Sequence, residues 1–154
     1  REQLWQYYLE IIVDSDNRII SETRIRYKAG SNNGKLTYKV GNGLERLEFE
    51  DKLFSARKFV AKMSKETGKK AIKKERFTVY MDGQKPVEIS IVDDTWAYAE
   101  VEFESTAEAK KYKFPWPDMI ATEVTGVPKY SMAGYWVNTR EKPPNLTQKV
   151  ANLG

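Results

Sequence analysis

The stretch Trp96–Ser105 (WAYAEVEFES) alternates acidic and apolar side chains, and this pattern constrains the fold more than any other part of the chain. Glu100, Glu102 and Glu104 fall on one face of an extended backbone, because successive side chains of a strand point to opposite sides. Three carboxylates on one face repel one another unless solvent or cations lie opposite them. The stretch therefore predicts a strand with one apolar and one acidic face.

Other segments also have the sequence pattern of strands, and they carry Lys and Arg residues that could pair with those carboxylates. They are Leu4–Val13, Ile19–Lys28, Lys35–Val40, Leu44–Glu50, Ala71–Met81 and Pro86–Val92. Most are joined by short turns, including the hairpin-forming pair Asn33-Gly34. About eight strands with few helices predict a mainly β (α+β) fold, an antiparallel sheet that curls or closes.

Helical spacing appears in two places. Apolar residues recur at helical intervals over Asp51–Thr67, and Gly68 is expected to end that helix. Ser105 followed by Glu108 forms a capping box that predicts a short helix over Ser105–Lys111. We expect one domain over residues 1–136 and a polar, flexible C-terminal tail over 137–154.

Composition narrows the chemistry. The 154 residues include no Cys and no His, which excludes a thiolate nucleophile and leaves an oxygen-rich site as the kind of metal centre expected. With 26 basic and 22 acidic residues, the net charge of +4 suits a small polyanion at least as well as a nucleic acid duplex. No apolar run approaches the roughly 20 residues that span a bilayer, so we expect a cytoplasmic protein with no membrane partner. Because the chain begins at Arg1, we also expect an N-terminal piece to precede it.

Two interpretations of the charged strand faces remain open from the residues alone. If the faces line a common interior, the cations would bind phosphates and the carboxylates a divalent metal ion. If they point outward, the chain is a sheet with a solvated, salt-bridged surface, on which each ion pair contributes roughly 0–1 kcal/mol.

The order of several motifs resembles the CYTH family, also called triphosphate tunnel metalloenzymes. The most specific motifs are AEVEFESTAEA (Ala99–Ala109) and EVTGVPKY (Glu123–Tyr130), and the resemblance covers about residues 6–131. It is closest to the short, single-domain members, many of which hydrolyse inorganic tripolyphosphate. The family fold is an eight-stranded antiparallel β-tunnel with a charged interior and a few flanking helices.

The resemblance implies a role for each charged residue. The cations that would hold the triphosphate are Arg24, Arg26, Lys39, Arg46, Lys74, Arg76 and Lys129. The metal ligands for Mg²⁺ or Mn²⁺ would be Glu100, Glu102 and Glu48, and Glu50 or Glu88 would activate the attacking water.

The chain departs from the family pattern in two ways. The family's N-terminal E-x-E-x-K strand, which should precede QYYL, has no counterpart in Arg1–Trp5. Ser90 stands where the family usually has Asp. Both departures bear more on hydrolysis than on phosphate binding.

The function expected first is a metal-dependent hydrolase of inorganic tripolyphosphate or a nucleoside triphosphate. The alternatives are a non-catalytic binder that sequesters a nucleotide or polyphosphate, and a class IV adenylate cyclase. Processing of RNA 5′ ends is a further alternative, although the Lys runs that could attract RNA are better explained as solvated surfaces. We expect a monomer or a homodimer.

Overall fold

One antiparallel sheet organises the described part of the chain. The computed structural model describes residues 1–41, 46–113 and 131–141. Within these residues the sheet has seven strands in the order β4-β3-β2-β1-β5-β6-β7. The strands are β1 (Glu2–Val13), β2 (Ile19–Lys28), β3 (Gly34–Val40), β4 (Leu47–Leu53), β5 (Ile72–Val79), β6 (Val87–Val92) and β7 (Trp96–Glu100). The prediction of a mainly β, antiparallel fold is confirmed, and the described residues supply seven of the eight strands expected.

The helices begin and end at recognisable signals. Helix α1 (Ala56–Thr67) ends at Gly68, whose φ of 73° places it in the left-handed region, as the sequence predicts. Helix α2 (Thr106–Lys111) begins after Ser105, whose hydroxyl accepts a hydrogen bond from the Glu108 N–H. Helix α3 (Met132–Trp136) continues into a π-helix (Val137–Glu141). None of the described helices has both the length and the apolar character needed to cross a bilayer.

The register gives the sheet two unlike faces. Arg24 of β2 lies opposite Tyr8 of β1 and Thr37 of β3, and every second residue of β2, of β3 and of β1 as far as Tyr8 continues that face. We call it the charged face. Ile25, on the other side of β2, belongs to the core cluster formed with α1 and α3. The cations Arg24 and Arg26 therefore lie on the side of β2 opposite Ile25 and the helices that pack against it.

Trp136 connects the C-terminal end of the described chain to the core. Its side chain is 0% exposed, and its ring centroid lies 4.8 Å from that of Tyr7 and 5.7 Å from that of Tyr8. The adjoining π-helix is held by an ion pair of 2.9 Å between Arg140 and Asp93. Residues 142–154 of the predicted tail lie outside the described residues, and the boundary at residue 136 stays a prediction.

Candidate functional site

Five of the predicted phosphate-binding cations lie on the charged face. Arg24 and Arg26 project from β2, Lys39 from β3, and Lys74 and Arg76 from β5. Alternation within each strand places its cations on one side, and the antiparallel register brings the strands together. The sheet thus concentrates these positive charges on its central strands.

Lys74 lies at the centre of this cluster. Its side chain is only 7% exposed, and Nζ donates a long hydrogen bond of 3.4 Å to Gln6 Oε1. Nζ also lies 5.3 Å from the centre of the Tyr98 ring on β7, two strands away from β5. Side chains of β1, β5 and β7 thus meet over the charged face.

Burial and mutual repulsion lower the pKa values of the cations in this cluster. Burial lowers the pKa of Lys74 to about 8, and the neighbouring charges of Arg76, Arg24 and Arg26 act in the same direction against Glu100. Burial and then the charge of Arg24 also lower the pKa values of Arg26 and Lys39. A bound anion would offset these unfavourable interactions.

Three buried polar atoms on the charged face lack a hydrogen bond of good geometry among the described residues, although the Tyr8 hydroxyl lies near Arg24 and the Tyr98 hydroxyl near Ser90. The three atoms are Gln6 Nε2, Arg24 Nε and Ser90 Oγ. Gln6 and Ser90 are each 1% exposed, so water does not readily satisfy them. Leaving a buried donor unpaired costs about 1–3 kcal/mol. An oxyanion bound on this face would accept from such donors.

Four of the five predicted carboxylates lie on the outer strands of the charged face, on β4, β6 and β7. Glu88 of β6 lies directly opposite Glu100 of β7, and Glu88 is 3.6 Å from Arg76. On β4, Glu48 contacts Lys39 at 3.8 Å. Acidic residues of one charge placed directly opposite each other are destabilising unless a cation lies between or beside them.

Glu50, the other predicted water-activating carboxylate, belongs to β4 and is tied to Lys35 at 3.0 Å. The hydrogen bond from Lys35 lowers the pKa of Glu50. Such a carboxylate stays ionised and is a weak proton acceptor.

Glu102 lies away from this arrangement. The strand predicted to run to Ser105 ends at Glu100, so Glu102 is exposed beyond the end of β7. Among the described residues, no three acidic side chains come close enough together to form a metal cage. The structure instead brings together Glu88 and Glu100, a pair formed between strands.

The two remaining predicted cations have different outcomes. Arg46 lies just before β4, and its Nη2 atom is 3.3 Å from the buried carboxylate of Glu22. Lys129 lies outside the described residues. The roles assigned to all these residues stay predictions.

Sequence reasoning missed several residues of the charged face. Every second residue of the first part of β1 lies on the charged face. These residues are Glu2, Leu4, Gln6 and Tyr8. The aromatic and apolar character of β1 hides this alternation, since Tyr7 on the opposite face is equally buried. Polar Gln6 within an apolar strand was the signal that could have indicated the site.

Two solved structures resemble the chain. One is the crystal structure of the inorganic triphosphatase NE1496, which matches with a TM-score of 0.58 and 22% identity over 86% of this chain and 83% of that one. The other is a crystal structure of the hypothetical protein NE1496, with a TM-score of 0.58 and 21% identity over 87% and 84% of the two chains. The chain shares their tunnel-like fold. At these identities the likeness concerns the fold alone. No family model and no curated protein matches the chain.

Proposed function

We propose that the chain is a CYTH-type enzyme that binds a linear triphosphate on its charged face and hydrolyses a terminal phosphoanhydride bond. The observation that carries this proposal is the group of half-buried and buried cations around Lys74, together with the buried donors of Gln6, Arg24 and Ser90 that lack a hydrogen bond of good geometry. A curled sheet with this interior matches the needs of a ligand with several adjacent negative charges. That a solved structure of the same fold is an inorganic triphosphatase supports the proposal.

The residues present fit a divalent metal ion. Mg²⁺ is usually held by one or two carboxylates together with substrate phosphates and water, so a cage of three acidic residues is not required. Glu100 of β7 would hold it together with the phosphate oxygens and water, and Glu88 lies directly opposite on β6. When bound, such an ion neutralises phosphate charge and polarises the bond that breaks.

The protein's own residues would bind the phosphates and accept the proton of the attacking water. Arg24, Arg26 and Lys74 would hold the phosphate oxygens and stabilise the charge that develops on the leaving diphosphate. Of the two predicted proton acceptors, Glu88 would take the proton of the attacking water, since it lies directly opposite Glu100, whereas Glu50 on β4 contacts Lys35 at 3.0 Å. Water attacks the terminal phosphorus, the anhydride bond breaks, and the proton of the water passes to the carboxylate.

The test is phosphate release from tripolyphosphate and from ATP, with Mg²⁺, with Mn²⁺ and with EDTA. We expect metal-dependent release that falls at least about 100-fold in Glu88→Gln/Glu100→Gln and in Arg24→Ala. Glu75→Gln is the matched control, because Glu75 neighbours Arg76 on β5 but lies on the opposite face and contacts Arg1. Release that survives both changes would contradict the assigned site.

A non-catalytic binder is the second candidate, favoured by Ser90 at the position where the family usually has Asp and by the lack of a three-carboxylate cage in the described residues. Calorimetric binding of tripolyphosphate without release, lost in Arg24→Ala, would establish it. No observation on the described residues favours a cyclase or an RNA-processing enzyme.

A further inference from the structure

A large cavity opens at the end of the charged face near the β2–β3 hairpin. Its volume is about 620 Å³. Its charged lining consists of five basic residues and one acidic one, namely Arg26, Lys28, Lys35, Lys52, Arg76 and Glu2. We call it the hairpin-end cavity. It shares Arg26 and Arg76 with the cluster around Lys74 and extends beyond that cluster.

Three of the cations form a row across adjacent strands. Lys52 on β4 lies directly opposite Lys35 on β3, and Lys35 lies directly opposite Arg26 on β2. Like charges directly opposite each other destabilise a sheet. A row of three is therefore unfavourable in the protein alone and becomes favourable when an anion lies across it.

The protein's own carboxylates neutralise this cavity only in part. Glu2 contacts Arg76 at 2.6 Å and Lys28 at 3.4 Å, and Glu50 contacts Lys35 at 3.0 Å. Lys52 and Arg26 have no carboxylate partner within ion-pair distance in the part of the chain that the structure describes. The cavity therefore retains positive charge that no described side chain neutralises.

The cations of β2 connect the cavity with the cluster around Lys74, which we call the inner site. Arg24, Arg26 and Lys28 occupy alternate positions on one face of β2. At about 3.4 Å per residue, successive members are about 7 Å apart and the series spans about 14 Å. This track is longer than the line of phosphorus atoms in a tripolyphosphate.

We propose that the hairpin-end cavity is a second anion subsite, which holds the part of a linear polyphosphate that extends beyond the three phosphates in the inner site. This inference rests on the proposed function, since it assumes that the inner site holds phosphates. It assigns a substrate of more than three phosphates to this chain. A neutral nucleoside in the same place would contact the exposed ring of Phe54 but would leave Lys52 and Arg26 without a counter-charge from the described residues.

The experiment compares the affinities of tripolyphosphate, ATP and a longer linear polyphosphate of defined length, by calorimetry in EDTA so that no metal-dependent hydrolysis occurs. The variant is Lys28→Gln/Lys52→Gln. Both side chains are exposed, so the fold should tolerate the change. The control is Lys62→Gln/Lys65→Gln on α1, which removes the same charge from another surface.

We expect the wild-type protein to bind the longer chain about tenfold more tightly than tripolyphosphate, because two or three additional charge contacts form, each worth up to a fewfold when solvent-exposed. The variant should reduce that ratio towards one, whereas the control should preserve it.

Three results would overturn the inference. If the longer chain binds no more tightly than tripolyphosphate, or if the variant leaves the ratio unchanged, the cavity is not a phosphate subsite. If the variant selectively weakens ATP, the cavity holds a nucleoside instead. In each case binding of tripolyphosphate leaves the proposed function standing, whereas failure of every phosphate compound to bind contradicts the proposed function itself.

Discussion

Lys74→Met is expected to stabilise the folded protein while weakening its hold on phosphate. Lys74 is 7% exposed, and burial lowers its pKa from 10.5 to about 8. Each pKa unit corresponds to about 1.4 kcal/mol, so keeping this ammonium group charged in the folded state costs about 3 kcal/mol. Met fills a similar volume without a charge, so we expect the free energy of unfolding of Lys74→Met to exceed that of the wild type by most of this amount.

The stability difference between Lys74→Met and the wild type should decrease as the pH rises. Below a pH of about 8, Lys74 is protonated in both the folded and the unfolded states, so the full cost is present. Between about 8 and 10.5 the unfolded chain binds more protons than the folded one, and the wild-type free energy of unfolding rises with pH. The advantage of the Met variant is therefore largest near neutral pH and disappears above 10.5.

The assay is urea unfolding, followed by tryptophan fluorescence, at neutral pH and again at the highest pH the protein tolerates. Lys73→Met is the matched control. Lys73 is the preceding residue on the opposite face, its Nζ atom lies 2.6 Å from Asp94, and that hydrogen bond raises its pKa. Lys73→Met should give no gain. A Lys74→Met protein that is less stable than the wild type at neutral pH, or equally altered at both pH values, would refute the reasoning.

Two further changes test the fold. Gly34→Ala should lower the free energy of unfolding by at least about 2 kcal/mol in urea titrations, because the added Cβ would lie 2.3 Å from the Arg26 carbonyl oxygen and 2.9 Å from Tyr27 Cβ. A shift below a few tenths of a kcal/mol would contradict that packing. Arg140→Met should cost about 2–4 kcal/mol in the same assay, since it leaves the half-buried carboxylate of Asp93 without its ion-pair partner. If the C-terminal segment does not contribute to the fold, that loss will be absent.

Much of the architecture could be predicted because its causes are local. The range Ile19–Lys28 was predicted to the residue, since alternation of cations with apolar side chains directly specifies a two-faced strand. The end of α1 at Gly68 and the cap at Ser105 also follow from residues within one turn of the helix.

The boundaries that were predicted wrongly depend on pairing with distant strands. Asp51–Leu53 was assigned to the first helix, but these residues continue β4 because they pair with residues 34–36 of β3. The strand from Trp96 was extended to Ser105, but it stops at Glu100, where its partner β6 begins at Val87. Alternation of apolar and polar residues predicts a strand, but it does not predict where the neighbouring strand ends and pairing stops.

The same limit explains the metal-site residues. Sequence spacing groups Glu100 with Glu102, which are neighbours along the chain. The sheet groups Glu100 with Glu88, which are opposite each other across two strands. The register that makes this pair is set by the β6–β7 turn at Asp93-Asp94, where both residues have positive φ values of 48° and 60°.

The distribution of charge over the sheet links stability to ligand binding. Arg24, Arg26 and Lys74 occupy central strands, where they are half-buried or buried and form no ion pair with a carboxylate of the described residues. Glu100 lies on β7, the last strand of the sheet among the described residues, and is exposed, so it keeps its hydration until a cation binds. A protein selected for stability alone would place its cations at the edges, because unpaired charge costs least in water. The reversed arrangement makes sense if a polyanion supplies the missing negative charge at the centre, and it predicts that binding of phosphate stabilises this fold by more than the contacts at the surface would suggest.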